Sequence, residues 1–258
     1  MFVTHRNCKI HYTSTGEGPT LLLLHGFLET LNMWDDFVEE LSENNHVLCI
    51  DLLGHGKTDC HGYIHSMEAM AEAVYSVIDE LKIIELRCIG HSMGGYVALA
   101  LAEMKPNLIK NLCLMNSTFE ADDNERKILR ARAAKMATEN YEALVRMSFT
   151  NLFAPDSKEK FKDDFDKALA IGLKTSKQGF IAAHKGMAIR PDRFETLTSI
   201  TGKKVIIIGE KDTIYNQELV LQKVEDTTIK IELFSGGHMS HIENKQELSY
   251  FLKRFSEK

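Results

Sequence analysis

Short runs of consecutive apolar residues punctuate the first half of the chain: Leu21-Leu22-Leu23-Leu24, Val47-Leu48-Cys49-Ile50, Leu86 to Ile89 (interrupted by Arg87) and Leu112-Cys113-Leu114-Met115. Runs of this length without polar alternation suit strands buried on both faces. Between them lie stretches of helical period, Met33 to Leu41, Met67 to Leu81, and a segment after Gly95 that reaches Lys105 and is stopped by Pro106. Residues 2–14 alternate weakly and end in the turn cluster Gly16-Glu17-Gly18-Pro19, which predicts an opening hairpin. Strands and helices alternating at this spacing form βαβ units, so the pattern predicts an α/β protein with a mostly parallel, doubly wound sheet.

After residue 117 the rhythm changes. Ala121 to Asn140, Tyr141 to Phe153, Lys160 to Leu173 and Lys177 to Ala188 all read as helices, and no buried strand falls among them. The strand pattern resumes at Val205 to Ile208 and Ile229 to Phe234, with a closing helix over about 246–255. The expected organisation is a core of residues 1–117 and 199–258, with residues 118–198 as a helical lid inserted before the last two strands. A lid there would cover the carboxyl ends of the strands, where ligands sit in such sheets; the plainer alternative is helices packed on the sheet edge.

Composition narrows the function classes. With 44% hydrophobic and 26% charged residues and a formal charge of −6 across 258 residues, the chain has the make-up of a globular protein and no basic footprint for nucleic acid. Its five scattered cysteines contain no C-x-x-C pair, pointing to reduced thiols rather than a disulfide frame or a zinc site. The N-terminus lacks an apolar signal core, and no apolar run approaches the roughly 18–20 residues of a membrane helix. The expectation is a cytoplasmic protein, monomer or homodimer, acting on a small molecule without metal or cofactor.

The candidate chemistry centres on Gly90-His91-Ser92-Met93-Gly94-Gly95, a G-x-S-x-G pattern entered from an apolar run and left into a helix. Such a turn exposes a serine hydroxyl above the sheet. Serine is a weak nucleophile that needs a base, and the base needs an orienting acid. Asp212 follows the strand Val205 to Ile208, and His238 follows the strand ending at Phe234, giving the order Ser, Asp, His. The oxyanion of an acyl-transfer intermediate would require two N–H donors, Met93 after the serine and Phe27 after the first buried strand. His241 is the rival base, set further toward the final helix. Asp51 is expected to brace the Gly54-His55-Gly56 loop.

Taken together, His25-Gly26-Phe27, Asp51 to Gly56, Gly90 to Gly95, Gly209-Glu210-Lys211-Asp212 and Gly237 to Glu243 resemble the α/β-hydrolase superfamily over nearly the whole chain. The resemblance implies the α/β-hydrolase fold, with Ser92 as nucleophile, Asp212 and His238 as the other triad members, and Phe27 and Met93 as oxyanion donors. Haloalkane dehalogenases and epoxide hydrolases place an aspartate where this chain has Ser92, which disfavours those activities. Leu53 departs from the Arg or Pro that many members carry before Gly-His-Gly. The expected activity is hydrolysis of a carboxylic ester, lactone or thioester through an acyl-enzyme. Two alternatives stay open: a menaquinone-pathway type of lyase using the same triad for proton abstraction, with lid arginines among Arg126, Arg130, Arg132, Arg146, Arg190 and Arg193 holding carboxylates, and a non-catalytic small-molecule receptor. His25, His91, Met147 and Phe153 are the candidate substrate contacts.

Overall fold

The computed structural model describes residues 1–257, and its organising element is a sheet of eight strands. These are β1 (Phe2–His5), β2 (Cys8–Thr15), β3 (Thr20–Leu24), β4 (His46–Ile50), β5 (Leu86–His91), β6 (Ile109–Met115), β7 (Lys204–Gly209) and β8 (Lys230–Phe234), in spatial order β1-β2-β4-β3-β5-β6-β7-β8. The first two strands form the expected hairpin and join β4 antiparallel; every pairing from β4 to β8 is parallel. Between and after the strands lie α1 (Asp35–Ser42), α2 (Met67–Glu80), α3 (Met93–Met104), α4 (Asn124–Met136), α5 (Tyr141–Thr150), α6 (Ser157–Lys160), α7 (Lys162–Gly172), α8 (Lys177–Ala188), α9 (Phe194–Ser199), α10 (Gln217–Val224), α11 (Ser240–Glu243) and α12 (Lys245–Ser256).

The unbroken apolar strands are explained by two cores. Leu22 and Leu24 face a layer containing Val74 and Val97, while Leu21 and Leu23 face Trp34, Phe251 and Phe255. Successive side chains of a strand point to opposite faces, so a strand covered on both sides admits no polar position. Each such leucine, fully buried, contributes about 1.5–3 kcal/mol. The register aligns the strand ends: Leu24 lies opposite both Ile50 and Gly90, Gly90 opposite Leu114, and Met115 opposite Ile207. His25, Asp51, Ser92 and Asn116 therefore emerge along one edge.

Helices α4–α8 stand between β6 and β7 and build a third core of their own, with Phe149, Phe153, Phe165 and Phe180 at its centre. Leu28 and Met239 complete that cluster, so the insertion packs on the two loops carrying Phe27 and His238. Helix α9 instead joins the sheet layer, where Phe194 meets Phe119 at 4.9 Å and Leu197 is fully buried. Among the described residues no helix is long and apolar enough to cross a membrane.

Candidate active site

Ser92 sits between β5 and α3 with φ 49° and ψ −115°, a conformation a serine adopts only when its surroundings impose it. Its N–H donates to Met115 O at 2.9 Å, and its carbonyl accepts from the Ser117 hydroxyl at 2.7 Å, tying the turn to β6. The turn closes so tightly that a Cβ on Gly90 would lie 2.5 Å from the Gly94 backbone. That contact is the physical reason for a glycine two residues before the serine.

His238 and Asp212 arrive on the loops after β8 and β7. The His238 ring lies 2.7 Å through Nδ1 from Asp212 Oδ2 and 2.8 Å through Nε2 from Ser92 Oγ. Burial alone would raise the Asp212 carboxyl, but the adjacent His238 and the Ile214 N–H outweigh it and hold the group below the ordinary aspartate value. An ionised carboxylate only accepts, so Nδ1 carries the proton and Nε2 is left to receive the one on Ser92. Asn116 braces this arrangement, donating to Asp212 at 3.3 Å and to Gly237 O at 3.0 Å, while Ser240 donates to its amide oxygen. Glu243 accepts from the N–H groups of Gly237, Met239 and Ala154 at 3.0, 3.1 and 2.9 Å, fixing the His238 loop to the insertion.

On the other side of the serine, neither the Phe27 nor the Met93 backbone N–H has an acceptor among the described residues. The Phe27 loop is held by Glu29, whose Oε2 accepts from Gly26 N–H at 2.6 Å and from His91 Nδ1 at 2.7 Å. The second His91 nitrogen meets His238 O at 2.9 Å. Both partners of His91 are pure acceptors, so both nitrogens donate and the ring is an imidazolium. Burial works against that charge, and the Glu29 carboxylate more than compensates, raising His91 above its ordinary value; Glu29 itself is held down to about 2. A buried ion pair thus joins the Phe27 loop to the His238 loop.

A cavity of about 270 Å³ opens over Ser92, lined by Phe27, His91, His184 and His238 and, from α4, by Arg126 and Arg130. The expected site residues divide accordingly. Ser92, Asp212 and His238 come together, Phe27 and Met93 flank the serine, and His91 lines the cavity. Three proposed substrate contacts do not reach it. His25 is fully buried behind the loop, donating from Nδ1 to Gly26 O at 2.7 Å and accepting Leu52 N–H at Nε2 at 2.9 Å, so neither nitrogen is left for a ligand. Met147 lies on the outward side of α5, 53% exposed, because Leu144, Val145 and Phe149 take the inward positions. Phe153 is locked into the aromatic cluster, 5.8 Å from Phe149 and 5.0 Å from Phe165. His241 faces a second cavity behind Glu29, 3.8 Å from its Oε1. Asp51 does brace its loop, accepting from Leu31 and Lys57 N–H groups and pairing with His11. Asn116, Glu29 and His184 were not singled out by the sequence; the one available signal was for Asn116, a polar residue at the end of a buried strand.

A family model described as alpha/beta hydrolase fold matches residues 19–245. The chain belongs to that family and is an α/β-hydrolase. It is 26% identical to a Bacillus subtilis (strain 168) protein provisionally named 2-succinyl-6-hydroxy-2,4-cyclohexadiene-1-carboxylate synthase, across 95% of this chain and 94% of that one. Among solved structures, the enol-lactonase from Burkholderia xenovorans LB400 superposes with a TM-score of 0.90 at 23% identity, covering 99% of each chain. The malate-bound thermophilic esterase from Thermogutta terrifontis gives a TM-score of 0.87 at 24% identity, over 96% of this chain and 93% of that one.

Proposed function

We propose that the protein is a serine hydrolase that cleaves a carboxylic ester, lactone or thioester of a small molecule through an acyl-enzyme. The observation that carries this reading is the continuous hydrogen-bonded line from Ser92 Oγ through His238 to Asp212. His238 Nε2 removes the hydroxyl proton as Ser92 Oγ attacks the carbonyl carbon, and the resulting imidazolium is stabilised by Asp212. The negative oxygen of the tetrahedral intermediate takes hydrogen bonds from the free amides of Met93, at the N-terminus of α3, and of Phe27, in the loop after β3. Collapse expels the alcohol, thiol or enol leaving group, which receives its proton from His238. A water then repeats the sequence on the acyl-enzyme, with His238 as base, and releases the acid. The helical insertion acts as a lid that shapes the cavity and limits water access.

The lyase reading, in which Ser92 and His238 abstract a proton with no acyl-enzyme, is favoured by one feature. Arg126 lines the cavity and makes no ion pair among the described residues, leaving its guanidinium for a substrate carboxylate. The other candidate clamp arginines are occupied or turned away: Arg130 and Arg190 bind Asp122, Arg193 binds Glu68 and Glu103, Arg146 binds Glu142, and Arg132 is exposed. The two readings separate in one experiment, incubation with a panel of esters, lactones and thioesters followed by intact-mass analysis after acid quench. An acyl adduct on Ser92 supports hydrolysis; turnover of a carboxylate substrate with no adduct at any time supports the lyase.

A further inference from the structure

One charged group on the insertion's side of the cavity, Arg130, is already engaged. Arg130 is held by Asp122 and reaches Met187 Sδ at 3.3 Å, and Asp122 is shared with Arg190. His184, on α8, is different. Both its ring nitrogens are buried, and neither has a hydrogen-bond partner among the described residues. The ring is packed against Phe27 at 4.7 Å and Phe180 at 4.6 Å, so it cannot swing to a protein partner without leaving that aromatic seat. The helix beneath it is fixed as well: Gly186 lets α8 lie directly on the His65 carbonyl, where a Cβ would fall within 1.7 Å, and His65 N–H donates to Ala182 O at 3.0 Å.

Buried polar atoms are normally satisfied, and an orphan in a rigid setting asks for a partner that arrives from outside. The cavity supplies the route, since His184 and Ser92 line the same space; both ring nitrogens are closed off from it by packing, and a substrate reaches them by displacing those contacts. Burial, reinforced by the neighbouring Arg130 guanidinium, pushes the imidazole down to about 3, so it is neutral at physiological pH. A neutral ring offers one N–H donor and one lone pair. That combination suits a hydroxyl or keto oxygen, whereas a carboxylate is better matched by Arg126. Because His184 packs on the Phe27 ring and lines the cavity that opens over Ser92, the group it binds shares that space with the scissile carbonyl.

We propose that His184 is a specificity-determining residue that hydrogen-bonds a neutral oxygen substituent, hydroxyl or keto, on the acyl portion of the substrate. This rests on the serine-hydrolase reading above. The test compares nitrophenyl esters of 3-hydroxybutanoate and 3-methylbutanoate, which exchange a hydroxyl for a methyl group at constant size, in wild type, His184→Phe and His184→Gln. Wild type is expected to favour the hydroxy ester by about tenfold in kcat/KM. In His184→Phe that preference falls to about one, and His184→Gln, which keeps a donor and an acceptor, retains part of it. An unchanged preference in His184→Phe, or none in wild type, overturns the assignment. If neither ester turns over and a fluorophosphonate fails to label Ser92, it is the hydrolase reading that has failed. Calorimetric binding of the two free acids to wild type and His184→Phe then decides the role of His184 by itself: a hydroxy-acid preference abolished by the substitution supports it, and identical preferences overturn it.

Discussion

Replacing Glu29 by glutamine removes one charge from the ion pair beside the triad while preserving side-chain shape. In the wild type the Glu29 carboxyl is held at about 2 against an ordinary 4.5, burial opposing the shift and the His91 imidazolium driving it. That difference corresponds to roughly 3 kcal/mol of stabilisation at neutral pH, the same scale as breaking a buried pair by deleting one partner, about 3–5 kcal/mol. The two residues share one interaction, so their contributions are not summed. In a chain of this length, 1 kcal/mol moves Tm by roughly 2–4 °C, and Glu29→Gln is expected to melt roughly 6–12 °C below wild type at pH 6. The sign of the pH dependence follows from each group. Glu29 is depressed, so its contribution is present above its unfolded value and is lost only as pH falls toward 2. His91 is raised, so its contribution is complete below 6.5 and is lost as pH rises through its higher folded value. The gap between variant and wild type should therefore be widest near pH 6 and narrow as pH rises through the folded value of His91. Differential scanning fluorimetry across that range measures it. A variant melting within about 2 °C of wild type at pH 6, or a gap that widens as pH rises above 6.5, would refute the charged pair.

Other consequences are open to direct measurement. Asp212→Asn should keep a cooperative melt, at somewhat lower temperature because a buried, depressed carboxylate is lost, and reduce kcat by roughly 10³–10⁴-fold on the best ester, because the His238 tautomer is no longer set. Gly90→Ala should cost at least about 3 kcal/mol, read as loss of a cooperative melt in the soluble fraction, since the new Cβ meets backbone that cannot yield. Arg126→Gln should raise KM for carboxylate-bearing substrates by about tenfold and leave that of uncharged esters nearly unchanged; equal effects on both would remove Arg126 from substrate recognition.

The sheet was readable from the chain because strands such as Leu21–Leu24 are covered on both faces, and a double covering leaves an unbroken apolar run. The positions of Ser92, Asp212 and His238 were readable for a related reason, each following such a run at a place where the fold requires a turn. The cavity lining was not. Periodicity identifies an apolar face on α5 but not its neighbour, so Met147 was expected inside and lies outside, and Phe153 was expected at the ligand and instead completes an aromatic core. Helix α7 likewise begins later than its apolar pattern, at Lys162, after a separate short turn over Ser157–Lys160. The Glu29–His91 pair joins residues 62 apart in sequence, and His184 meets Phe27 only through packing of the insertion on the core. Contacts of that kind depend on how two elements dock, which local pattern does not encode.

In the proposed reaction Ser92 is the nucleophile of an acyl-enzyme. The most direct measurement is mass spectrometry of the folded protein after reaction with a fluorophosphonate and, separately, after acid quench during ester turnover. The expected result is a single adduct on the peptide containing Ser92 in both cases, absent from Ser92→Ala, whose ester turnover falls by at least about 10³-fold while its melting curve is retained. An unlabelled Ser92 in folded protein, or ester turnover that survives Ser92→Ala, would contradict it.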